Sequence, residues 1–133
     1  MASRLDRLSQ AAAALGLPDL EHHQDWGIQL ADPGRLPEFV AYYRDHQAGF
    51  DEWAQEFYLG ELLLESANDA LRDGGQPHSL IEEAVALIAA RREYEPTQFL
   101  LEYWTGLDSP EWLDGKRYYH YPIARLLKQA LGM

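Results

Sequence analysis

Cysteine is absent from all 133 residues, so this chain can build neither a disulfide framework nor a thiolate zinc site. That absence fits a cytoplasmic protein. Long apolar runs are missing too: no window approaches the ~18 to 20 residues of a membrane span. The opening stretch MASRLDRLSQAAAALGL has an apolar run too short and too alanine-rich for a signal peptide, and Asp6 and Gln10 interrupt it. Positive charge is scarce, with 11 Lys and Arg against 22 Asp and Glu, for a net charge of −11. Twelve of the acids lie between Asp19 and Asp69, where only Arg35 and Arg44 oppose them, a local charge of −10. Such a field repels nucleic acid and anionic lipid and attracts a basic protein. Its bland use is solubility.

Catalytic and cofactor signatures are missing as well. There is no Walker loop, no GxGxxG, no GxSxG, no HExxH and no helical Glu-x-x-His pair. His22 and His23, with Glu21 and Asp25, are the densest set of metal-ligand types, but adjacent side chains diverge and the segment reads as a polar connection. The expectation is no intrinsic metal, no cofactor and no catalytic residue.

What is present is helical periodicity. From Phe50 to Gly75 the chain reads FDEWAQEFYLGELLLESANDALRDGG. On a wheel with 100° steps, Phe57, Gly60, Leu64, Ala67 and Leu71 fall within about 40° of Trp53. Leu59, Leu62, Leu63 and Ala70 widen the stripe, so the spacing predicts a central helix at about 51–73, capped by Asp51 and stopped by Gly74 and Gly75. Phe57 and Leu64 are its expected core residues. Glu61, Glu65, Asn68, Asp69 and Arg72 gather on one polar flank, expected to face solvent.

Around it, a first helix over about 4–15 runs from a Ser3 cap to Gly16. Residues 19–31 read as an ordered connection with room for one turn of helix, although Trp26, Ile28 and Leu30 alternate as a strand would. Asp32-Pro33 opens a helix carrying Leu36, Phe39, Val40 and Tyr43. Ser79 and Glu82 match a capping box for the next helix. Pro96 opens another, with Phe99, Leu100, Tyr103 and Trp104 as buried candidates. Ser109 to Gly115 is a further turn of helix, and Pro122 opens the last, with Ile123, Leu126, Leu127 and Leu131 inward. The fold expected is all-α: a single irregular domain over 1–133, of five to seven helices around the central one.

Two surfaces are candidates for function. The first is acidic, with Glu61, Glu65 and Asp69 as its regular stripe and Asp45 and Asp51 near the start of the central helix, suited to a basic protein partner. The second is aromatic: Trp104, Trp112, Tyr118, Tyr119, His120 and Tyr121, interleaved with Lys116 and Arg117, suited to stacking on a small molecule, as a ligand-binding or an enzymatic domain would. Nucleic acid is a poor match for either at this net charge.

Three stretches, DWGIQLADPGRLPEFVAYYRDH, EFYLGELLLESANDAL and LLEYWTGLDSP, in this order from Asp25 to Pro110, resemble small bacterial proteins, some of which belong among the immunity proteins of polymorphic toxin systems. The shared pattern is a Trp-bearing opening segment, a helix opened by Asp-Pro, a Leu-rich central helix and a Tyr-Trp pair late in a later helix. The resemblance implies an all-helical fold and a binding role, and assigns a function to no individual residue.

Overall fold

The computed structural model describes residues 6–18, 26–107 and 121–133. Among them are seven α-helices, two 3-10 turns and no strand. The helices are α1 (Asp6–Ala14), α2 (Trp26–Leu30), α3 (Leu36–His46), α4 (Trp53–Asp73), α5 (His78–Ala89), α6 (Glu95–Gly106) and α7 (Ile123–Ala130), with the 3-10 turns at Pro33–Arg35 and Gln47–Gly49. The fold is all-helical, and α4 is the hub, touching each of the other six described α-helices.

Residue chemistry accounts for most of the boundaries. Gly16, at φ 68°, ends α1 in a left-handed turn, with Leu17 N–H donating to Ala12 O and Gly16 N–H to Ala13 O, the paired bonds of a Schellman motif. The Asp32 carboxylate accepts the Gly34 N–H at 2.9 Å and caps the Pro33–Arg35 turn, which runs into α3. Gly74, at φ 84°, closes α4. Two expected caps are not used. Asp51 does not cap α4; instead Gln55 reaches back from the first turn to accept the Asp51 backbone N–H at 3.1 Å. Ser79 lies inside α5, which opens after Pro77, and Glu82 pairs with His78 at 3.1 Å. The 26–30 segment is a short helix, so the alternation of Trp26, Ile28 and Leu30 did not signal a strand. The expected Ser3 cap and the helical turn at 109–115 lie outside the described residues.

One contiguous core draws on all seven helices. Leu62, Leu63, Leu64 and Ala67 of α4 meet Leu36, Phe39, Val40 and Tyr43 of α3, Ile81, Ala84 and Ile88 of α5, Leu100 and Trp104 of α6, and Ile123 and Leu127 of α7. The expected face of α4 is displaced at its start. Leu64 is fully buried, but Phe57 is only partly so, and Trp53 is 45% exposed. On α6, Leu100, Leu101 and Trp104 turn inward, whereas Phe99 and Tyr103, expected in the core, are 50% and 59% exposed.

The polar flank of α4 is also not a solvated stripe. Asn68 is 1% exposed and Ser66 fully buried, while Glu61, Glu65 and Asp69 are half-buried. A helix start leaves backbone N–H groups without intrahelical acceptors, and α4 supplies acceptors to its neighbours. Glu61 Oε1 accepts the Gly27 N–H of α2 at 3.1 Å. Ser66 Oγ accepts the Asp32 N–H at 3.0 Å, and Asn68 Oδ1 accepts the Ile123 N–H of α7 at 3.2 Å. These residues are buried because other elements begin on top of them.

Candidate binding groove

Positions 53, 57, 61 and 65 form one i+4 ridge of α4, and 99 and 103 form another on α6. The two ridges stand on either side of a groove of about 530 Å³, lined by Trp53, Phe57, Glu61, Glu65, Phe99, Leu100, Tyr103, Trp104 and Ile28. Its floor exists because α6 crosses α4 closely at Gly60, where an added Cβ would lie 2.7 Å from Leu100 Cδ1. α2 seats as closely: a Cβ on Gly27 would lie 2.7 Å from the Leu62 backbone nitrogen and 2.8 Å from Glu61. That approach brings Ile28, 46% exposed, to the Glu61 level of the groove.

The groove has two chemical halves because the α4 ridge reads aromatic, aromatic, acid, acid. Trp53 and Phe57 stack with centroids 4.7 Å apart and planes at 15°. Phe99 and Tyr103 face solvent from the other wall, and Tyr103 meets Trp104 edge-on at 6.1 Å. Along α4, Phe57 precedes Glu61 by about 6 Å and Glu65 by about 12 Å of rise. The Glu65 carboxyl is pushed up to about 7, first by burial, then by the Asp69 and Glu61 carboxylates, against the pull of Arg72. Arg72 is drawn towards Asp69, at 3.2 Å, and Asp73, at 2.9 Å. Burial raises Asp69 as well. A cation placed beside Glu65 therefore relieves a carboxylate that the fold makes costly.

A second polar cluster gathers around Glu56, which lies between Trp53 and Phe57 along α4. Glu56 accepts two hydrogen bonds from the Arg91 guanidinium at 2.6 and 2.7 Å, one from Thr97 Oγ1 at 3.2 Å and one from the Tyr43 hydroxyl at 3.5 Å. Burial, reinforced by the Glu56 charge, pushes the Tyr43 phenol far up. Phe50 and Tyr94 cover the guanidinium with ring centroids at 5.4 and 4.2 Å. Fully partnered and closed off, this cluster ties α3, α4 and α6 together through the turn after α5. It is structural.

The expected site residues separate accordingly. Glu61 and Glu65 of the acidic set share the groove with Trp104 of the aromatic set, and Asp69 follows one turn on. Asp45, exposed and 3.4 Å from Arg44, and Asp51, exposed ahead of α4, lie towards its other end, since Trp53 to Asp69 spans about 24 Å. Trp104 is 1% exposed and belongs to the core beneath the groove; Tyr121 packs on it edge-on at 5.9 Å. Trp112, Tyr118, Tyr119 and His120 lie outside the described residues, as do His22 and His23. Trp53, Phe57, Phe99, Tyr103 and Ile28 were not anticipated as lining. The four-residue spacing of Trp53, Phe57, Glu61 and Glu65, and of Phe99 and Tyr103, was the available signal.

The described residues hold no group of three or more metal-ligating side chains, and no helix among them is long and apolar enough to cross a membrane. No protein-family model matches the chain, and neither a curated protein nor a solved structure does.

Proposed function

We propose that this protein is a binding protein for a basic protein partner, docked on the groove between α4 and α6. The observation that carries the reading is the groove itself: four large side chains, Ile28, Trp53, Phe99 and Tyr103, are each between 45% and 59% exposed around two half-buried carboxylates. Exposed aromatics gathered at one place mark interaction surfaces. The carboxylates, in a half-chain of charge −10, select a cation. Neutralisation of a basic toxin is the concrete form of this role that the resemblance to immunity proteins suggests.

The test is retention of proteins from the source lysate by the immobilised wild type and by Glu65→Lys, at low and moderate salt. The reading expects a basic protein held by the wild type, weakened by salt and lost in the variant. Glu65 is the residue to reverse alone, because Glu61 also holds α2. No basic protein retained at low salt, or equal retention by Glu65→Lys, overturns the reading and leaves the acidity to solubility.

The groove volume favours a second reading, a small organic ligand, since about 530 Å³ lies within the usual range for such sites. That reading expects a compound copurifying with the protein and displaced by Tyr103→Ala.

A further inference from the structure

We infer that the groove recognises a two-part unit on its basic partner: an apolar side chain seated between Phe57 and the Phe99–Tyr103 wall, and a cationic side chain on Glu65, about two helical turns of α4 away. This inference rests on the reading above and adds what the partner must present.

The argument is one of placement. If charge alone selected the partner, Asp45 and Asp51 would serve as well as Glu65, being exposed and acidic. Neither of them lines the groove. If apolar contact alone selected it, the α4 ridge would gain nothing from ending in carboxylates. The ridge instead changes character between Phe57 and Glu61. An aromatic ring or aliphatic side chain at the first half is desolvated by Trp53, Phe57, Phe99 and Tyr103. A cation at the second half meets the Glu65 carboxylate beside the exposed Tyr103 ring. Glu61 is already committed in part, because its Oε1 accepts the Gly27 N–H, so Glu65 is the carboxylate that a ligand cation engages. The rise from Phe57 to Glu65 is about 12 Å, and a contact of about 3 Å to the carboxylate leaves about 9 Å between the two parts, or residues about six apart on a partner helix.

The probe is 4-phenylbutylammonium, whose ring and nitrogen stand about 8 Å apart when extended. Its neutral and anionic counterparts are 4-phenylbutan-1-ol and 4-phenylbutyrate; n-propylammonium carries the cation without the ring. Each is titrated into the full ¹⁵N-labelled chain while the Trp53 indole N–H signal, assigned with Trp53→Phe, is followed. The expected result is millimolar binding of the ammonium, about tenfold tighter than the alcohol, with no saturable shift from n-propylammonium or the carboxylate. In Glu65→Gln, which keeps the side-chain shape, the preference for ammonium over alcohol falls below about threefold. In Phe99→Ser with Tyr103→Ser, both positions being exposed, every probe weakens.

Equal binding of ammonium and alcohol overturns the inference, as does an unchanged preference in Glu65→Gln, or a Trp53 signal that no probe moves. Retention of a basic protein alongside any of these results leaves the binding role standing and removes only the two-part unit. Probe binding as expected without any retained basic protein removes the partner reading instead.

Discussion

Glu65 and Glu56 sit nine residues apart on one helix, and their opposite surroundings show what burial does to a carboxylate. Glu56 is buried but receives four hydrogen bonds, two of them from a guanidinium. Replacing it with Gln leaves Arg91 charged and enclosed without its counter-ion, so Glu56→Gln should cost about 3 to 5 kcal/mol in chemical unfolding. The exposed Arg44–Glu83 pair, at 3.0 Å, is the control: Glu83→Gln should cost no more than about 1 kcal/mol. Glu65 has near neighbours of its own sign, and its carboxyl rises from 4.5 to about 7. Between these values the native chain keeps a proton that the unfolded chain releases, so stability falls as pH climbs through the window, and the penalty is complete above about 7. Glu65→Gln removes the penalty. It should match the wild type near pH 4 and exceed its stability by about 1 to 3 kcal/mol at pH 8. An equal effect at both pH values would mean that Glu65 ionises normally.

Between elements, the two close approaches to α4 differ in what stands opposite the glycine. An added methyl at Gly27 meets the Leu62 backbone nitrogen at 2.7 Å, and backbone cannot rotate away, so Gly27→Ala should lift α2 from α4 and cost about 1 to 3 kcal/mol. At Gly60 the nearest atom is Leu100 Cδ1, also at 2.7 Å, which is the mobile end of a side chain. There the better helix propensity of Ala, worth about 1 kcal/mol, offsets the crowding, and thermal unfolding should rank Gly27→Ala as the more damaging. The central helix, its Gly74 stop and the Asp32-Pro33 start were legible in the sequence because local periodicity and backbone chemistry set them. Asn68 and Glu61 were misread as solvated because their burial depends on where distant helices begin. Phe99 and Tyr103 were misread as core because apolar spacing marks a face without saying whether another element covers it. Glu56 with Arg91 was missed because its partner lies 35 positions away.

At the scale of the whole molecule, a core shared by seven helices supports one surface that is aromatic and acidic at once. Leu64→Ala, at the fully buried centre, should cost about 2 to 5 kcal/mol, a loss felt across every helix that packs on α4. The groove residues behave differently, since Phe99 and Tyr103 are exposed and their loss leaves the core in place. Function and stability can therefore be separated by mutation. The most direct test of the binding account is calorimetry of the retained basic partner against three proteins: wild type, Phe99→Ser with Tyr103→Ser, and Asp45→Asn with Asp51→Asn. The account predicts that the groove variant loses about tenfold or more in affinity, as removal of buried aromatic anchors does, while the acid variant, whose residues do not line the groove, stays within about threefold. Equal weakening by both variants, or weakening by the acid variant alone, would contradict it and place recognition in the diffuse negative field.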